Sequence, residues 1–361
     1  MRRMILWLLV IALGLAALVF VALQFPSIQD RVMRRALTRL AGQQASELFE
    51  PDALRVLLCG TSSPLPHPTR AKPCVAIFAG GRFYAVDVGL GSWNRLAGWR
   101  VDAGRLGGVL LTHFHSDHIG ELGEFDLQSW VAGRPGPLPV YGPPGVERVV
   151  AGFEEAYALD AGYRTIHHGS ELLPPDVGRM QAQVIDRSSD PGGDRMLVLE
   201  ENGLRITAFE VDHAPVAPAY GYRFDYRGRS VVVSGDTVKS PTLVEVSRGA
   251  DVLVHEAQAN HIVALIGEAA AQVGRPRVAK IMSDIPDYHT TPVEAAEVAN
   301  EAGVGLLVLY HLTPPPPLAL IERVFVRGVS EVREDDWILA DDGLLVELPV
   351  DSDEVVVSQL D

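Results

Sequence analysis

The seven residues Thr112-His113-Phe114-His115-Ser116-Asp117-His118 narrow the architectures open to this chain more than any other segment. They follow a short apolar run at 109–112 that reads as a strand. Residues two apart in extended chain point the same way, so His113 and His115 can grip one cation together. Ser116 is expected to cap a short helix that presents Asp117 and His118 beside them. Three imidazoles and a carboxylate in so short a span match the nitrogen and oxygen preference of zinc. A histidine-rich surface loop is the plain alternative, and the strand before the run and Gly120 after it argue against that alternative.

Such a site needs more ligands, and the chain places them at strand ends. His213 follows the strand candidate at 204–211, Asp236 follows 230–234, and His311 follows 306–310. Each alone reads as a turn or capping residue. Together with the cluster they suggest strands that converge on one rim. Further strands are expected at 54–59, 74–78, 83–88 and 252–255, and helices at 146–159, 241–247, 292–302 and 318–325. Ala79-Gly80-Gly81-Arg82 and Tyr226-Arg227-Gly228 read as hairpin turns. An early hairpin followed by strand–helix alternation predicts an α/β sandwich, two sheets with helices outside.

The cluster, Val211-Asp212-His213, Ser234-Gly235-Asp236-Thr237 and Tyr310-His311 resemble, in order and broad spacing, the metallo-β-lactamase superfamily. Within it the chain looks like the branch that holds ribonuclease Z and arylsulfatase- and phosphodiesterase-like proteins. Gly60-Thr61-Ser62-Ser63-Pro64, Asp87-Val88-Gly89, His255-Glu256-Ala257 and His289-Thr290-Thr291-Pro292 support that branch. The resemblance spans roughly residues 54–348 and implies a four-layer αββα fold. It implies one zinc on His113, His115 and His213, a second on Asp117, His118 and His311, and Asp236 bridging the two. Mn2+ or Fe2+ are alternatives to the two Zn2+. It also implies a catalytic His289 oriented by Glu256, a homodimer, and Asp87 orienting a ligand histidine. Two zinc ions about 3.5–4 Å apart lower the pKa of a shared water toward about 7 and stabilise transition-state charge. Asp117 would orient or deprotonate that nucleophile. His255 reads as structural, and His167-His168 as surface.

The substrate is read from charge. The formal net charge is −15, which weighs against a protein that holds nucleic acid by neutralising phosphates. Ribonuclease Z grips transfer RNA with a basic arm before the third histidine. Here residues 146–180 carry six carboxylates against three arginines. The expectation is therefore hydrolysis of a small phosphodiester or sulfate-type ester. The alternatives are RNA 3′-end cleavage, or lactone opening or hydrolytic dehalogenation on the same metals.

The other expectations concern location. Residues 4–25 are almost wholly apolar, and roughly 20 helical residues span a bilayer core of about 30 Å. Residues 1–25 are read as an uncleaved anchor in preference to a cleaved signal peptide, and 26–50 as an amphipathic connector helix. Residues 51–361 form the catalytic domain. Arg2 and Arg3 favour an exported body, placing the domain in the periplasm at a bacterial inner membrane, although Arg31, Arg34, Arg35 and Arg39 pull the other way. Cys59 and Cys74, the two cysteines, are expected as buried free thiols.

Overall fold

The computed structural model of the chain describes residues 2–42, 45–186 and 195–360. These divide into two compact units, Met1–Ala45 and Ser46–Asp361. The first holds helices α1 (Arg2–Ala22) and α2 (Pro26–Ala41). Residues 3–22 of α1 are long and apolar enough to cross a membrane, and their apolar side chains are exposed. The connector helix is shorter than expected. It stops at Ala41 before Gly42, residues 43 and 44 lie outside the described residues, and Ser46–Phe49 is a 3-10 turn of the second unit. Phe49 there packs edge-on against Phe78 at 5.3 Å.

In the second unit the strands β1 (Ala53–Gly60), β2 (Cys74–Ala79), β3 (Arg82–Val86), β4 (Leu106–Leu110), β5 (Leu138–Gly142) and β6 (Met180–Val184) lie side by side in chain order. A second sheet follows from β7 (Met196–Glu201), β8 (Leu204–His213), β9 (Val216–Tyr226), β10 (Arg229–Val233), β11 (Val252–Gln258), β12 (Leu306–Thr313) and β13 (Trp337–Leu339). β14 (Leu344–Pro349) and β15 (Val356–Gln359) return to the first sheet beside β1. β3 to β6 are parallel, as are β10 to β13. Both expected hairpins form. Gly80 and Gly81, and Arg227 and Gly228, all take positive φ, as a two-residue turn between twisted strands requires.

The sheets face each other. Leu54, Val56 and Leu58 alternate inward from β1 to meet Tyr222, Phe224, Val231 and Val233. Full burial of each such aliphatic side chain contributes about 1.5–3 kcal/mol. Parallel strands buried on both faces need covering helices. The outer face of the second sheet, with Val232, Leu253 and Leu307, carries α7 (Pro241–Val246), α10 (Pro292–Ala302), α11 (Ala319–Phe325) and α12 (Val329–Val332). α3 (Ser92–Gly98) lies against β1 and α6 (Val146–His168) against β5 and β6, while α5 (Leu122–Val131) packs on α6 and, through Phe125, on Trp93 of α3. α6 runs nine residues beyond the expected end at 159.

The cysteines correct an expectation. Cys59 and Cys74 are joined in a disulfide, and among the described residues no free thiol remains. The antiparallel pairing of β1 with β2 places the end of one strand beside the start of the other. That adjacency is a product of the sheet register, which composition does not reveal.

Candidate metal centre

The loop after β4 carries His113 and His115 and runs into the single helical turn α4 (Ser116–Ile119). His115, and not Ser116, stands at the N-cap, so Asp117 and His118 fall in the first turn and are buried. His213 is the last residue of β8. Asp236 follows β10 through Gly235, whose φ is +63° and where an added Cβ would come within 2.5 Å of the Tyr220 carbonyl oxygen. His311 lies inside β12, in a one-residue bulge: Glu256 pairs with Tyr310 and Ala257 with Leu312. Its φ is +45°. Bulges re-aim a side chain, and strained non-glycine backbone concentrates at functional sites.

All seven side chains meet. The ligand atoms of His113, His115, His213 and Asp236 form one group in which all lie within 4.8 Å of one another, and those of Asp117, His118 and His311 form another. Asp236 Oδ2 stands between the groups, 3.3 Å from His118 Nε2, 3.4 Å from His311 Nε2 and 3.9 Å from both His113 Nε2 and His213 Nε2. Asp117 Oδ2 is 3.4 Å from His311 Nε2 and 3.6 Å from His118 Nε2. Ligands bound tetrahedrally at 2.0–2.1 Å sit about 3.3 Å apart, close to these spacings.

The residues fit a metal on chemical grounds too. His118 Nε2, His213 Nε2, both nitrogens of His311, Asp117 Oδ2 and Asp236 Oδ1 are buried without hydrogen-bond partners. Unpaired polar atoms at this density are costly unless something else binds them. At His118 and His213 the opposite ring nitrogens are engaged. His118 Nδ1 donates to Asp87 Oδ2 at 2.7 Å, and His213 Nδ1 donates to the Tyr288 carbonyl at 3.0 Å. A carbonyl can only accept, so the proton of His213 sits on Nδ1 and Nε2 keeps its lone pair. Asp87 also accepts from the Thr112 amide and hydroxyl, each at 2.9 Å, which locks the start of the cluster.

Burial keeps His113, His115 and His213 below the usual histidine range, whereas at His118 and Asp236 the neighbouring charges prevail over burial. His118 is held well above the usual histidine range against its burial by Asp236, Asp87 and Asp117. Asp236 is held well below the usual carboxylate range, again against burial, by His311 and His118. Beside the centre, Glu256 is wholly buried in β11 and accepts from His289 Nδ1 at 2.8 Å. It also accepts from the amides of Thr237 at 3.1 Å and Thr290 at 3.3 Å. Burial works against a charged His289, and Glu256 overrides it, pushing His289 up to about 9. A capping box of Thr291 and Glu294, with Pro292 in the first turn, fixes the start of α10 just after His289.

The opening loop is pinned beside His311. Leu312 donates its amide to the Thr61 carbonyl at 2.9 Å, and buried Asp342 accepts from the Thr61 hydroxyl at 2.7 Å and the Ala71 amide at 2.7 Å. His255 is buried with Nδ1 on the Glu256 carbonyl, and His167 and His168 are exposed. The sequence reading omitted Tyr288 and Gln258. It also omitted the two helices between them, α8 (Asn260–Gln272) and α9 (Pro276–Asp284), although Gly274 before Pro276 marks their turn.

A family model described as Beta-lactamase superfamily domain matches residues 90–312. The chain belongs to the metallo-β-lactamase superfamily. It is 41% identical over 264 residues to a protein of Mycobacterium bovis named ribonuclease Z, covering 72% of this chain and 86% of that one. Among solved structures it is similar to human tRNase Z, short form, with a TM-score of 0.56 at 21% identity, covering 82% of this chain and all of that one. It is similar to the Bacillus subtilis metallo-β-lactamase fold protein YhfI at the same TM-score and 20% identity, again over 82% of this chain and all of that one. These two likenesses speak for the fold. The chain is a hydrolase of this superfamily, with histidine and aspartate groups positioned to bind metal.

Proposed function

We propose that this chain is a dinuclear zinc phosphodiesterase that cleaves an RNA phosphodiester bond, as the name ribonuclease Z describes for its relatives. The likeness to relatives named ribonuclease Z carries the RNA reading, and one oxygen, Asp236 Oδ2, lies 3.3 Å from His118 Nε2 and 3.9 Å from His213 Nε2, where it would serve two ions. When bound, the two ions supply a Lewis acid and an acidified water. His113, His115 and His213 would hold one, Asp117, His118 and His311 the other. Asp117 would orient the attacking water and take its proton. As the phosphorus–oxygen ester bond breaks, His289 would give a proton to the leaving oxygen, while Glu256 keeps the ring fixed through Nδ1.

The relatives favour this reading over the small ester, and over the case against nucleic acid, that the charge pattern suggested. A purified, zinc-loaded protein should trim a 3′-extended precursor transfer RNA, with a rate that falls steeply as salt rises. If bis-aryl phosphate is cleaved and precursor RNA is not, at any salt concentration, the RNA assignment is wrong.

Two features favour a second reading, a small phosphodiester met outside the cytoplasm. The Cys59–Cys74 disulfide suits an oxidising compartment, and α1 suits an anchor. A reporter fused to the chain's C-terminus separates the two, because an exported body never meets precursor RNA.

A further inference from the structure

The insert between β11 and α10 reaches the metal centre with its second half. After α8 and α9 comes the 3-10 turn Ile285–Tyr288, and α9 and this turn wall one side of a cavity of about 300 Å³ that opens onto Asp117, Asp236 and His289. The wall is apolar: Ile281, Met282 and Ile285, with the ring of Tyr288 standing 4.6 Å from His289 and 4.8 Å from His213. Among the described residues no lysine or arginine lines this cavity. Lys280, next to Ile281, is paired with Asp284. The α9 side of the space therefore suits an uncharged group, and its opening onto Asp117, Asp236 and His289 suits one that is joined to the reacting ester.

Facing this wall across the cavity, β11 contributes one polar side chain, Gln258. Gln258 is wholly buried, and its Nε2 donates to Asn260 Oδ1 at 2.8 Å and to the Ile285 carbonyl at 3.0 Å. A carbonyl accepts only, so the amide orientation is fixed and Oε1 is left over. That oxygen is buried and has no hydrogen-bond partner, on a residue that lines the cavity. Buried acceptors are ordinarily satisfied, so a ligand donor is the natural complement.

We propose that this cavity is a substrate subsite for a flat, uncharged ring that bears an N–H or O–H donor and is linked to the scissile phosphate. The ring lies against Ile281, Ile285 and Tyr288 and gives its donor to Gln258. Such a ring comes either from the nucleotide at the cleaved bond of an RNA or from a small free diester. The assignment rests on the phosphodiesterase reading above.

The test is calorimetric titration of the zinc-loaded full chain with uridine 5′-monophosphate and with inorganic phosphate. The nucleotide should bind at least about tenfold more tightly, the scale on which apolar pockets discriminate. Ile281 is 54% exposed, so Ile281→Glu can fold, and it should remove that preference. Leu265→Glu, at a 61% exposed position outside the cavity, should keep it. Equal affinity for the two ligands, or a preference that survives Ile281→Glu, overturns the subsite. With RNA fragments of increasing length, affinity that stops rising after one nucleotide identifies the small diester, and affinity that keeps rising identifies the polymer. A preference for the nucleotide without hydrolysis of any phosphodiester sinks the proposed function alone; hydrolysis without a preference sinks the subsite alone.

Discussion

Replacing Cys59 and Cys74 together by alanine removes a cross-link whose contribution follows from its place in the chain. The two residues are 15 apart, and neither is exposed. In the chain-entropy account, closing a loop of that size in the unfolded state is worth about 3 kcal/mol at 25 °C. The double variant should therefore unfold in urea with a free energy about 3 kcal/mol below that of the oxidised parent. Reductant should lower the parent by a similar amount and leave the variant unmoved. None of the seven candidate ligands lies on the loop at 60–73 that the disulfide closes, and the Asp342 network holds that loop independently. Zinc content should thus stay near two per chain. A parent whose stability ignores reductant, although thiol titration shows both cysteines freed, would refute the reasoning.

Other outcomes follow from the same geometry. Asp236→Ala should cut zinc content by at least half, read by metal analysis, because one oxygen serves both ligand groups. His289→Ala should lower turnover about a hundredfold or more while zinc stays near two; full activity on every phosphodiester would remove its proposed role. Gly235→Ala should destabilise the chain by at least about 1 kcal/mol in urea unfolding, since positive φ and the Tyr220 carbonyl both oppose a Cβ there. Asp126, paired with Arg134 but raised to about 6 by burial, favours the fold only while protonated. Its contribution is full below about pH 4, the free carboxylate value, and is lost as pH rises through about 6. Asp126→Asn should flatten that part of the stability profile between pH 4 and 7.

How much of this was legible before any coordinates depended on distance along the chain. The cluster at 113–118 is local, and strand geometry plus one helical turn suffice to gather its side chains. His213 and Asp236 were legible as polar residues at the ends of apolar strands. His311 was found for the same reason, but it lies inside β12, and a bulge, not the strand's end, aims it. Glu256 and His289 were indicated by motif resemblance alone, because their 2.8 Å contact joins residues 33 apart.

Sequence by itself determined the strands that end at His213 and Asp236, the hairpins at 79–82 and 226–228, and the candidate metal-seeking residues, because each is written in local pattern. Only the tertiary structure decided that Cys59 meets Cys74, that one oxygen of Asp236 stands between two sets of ligands, and that α9 closes over the centre. Those facts depend on which strands become neighbours and in what register. Register is settled by the fit of two whole sheets across a shared core, and no short window of residues contains that information.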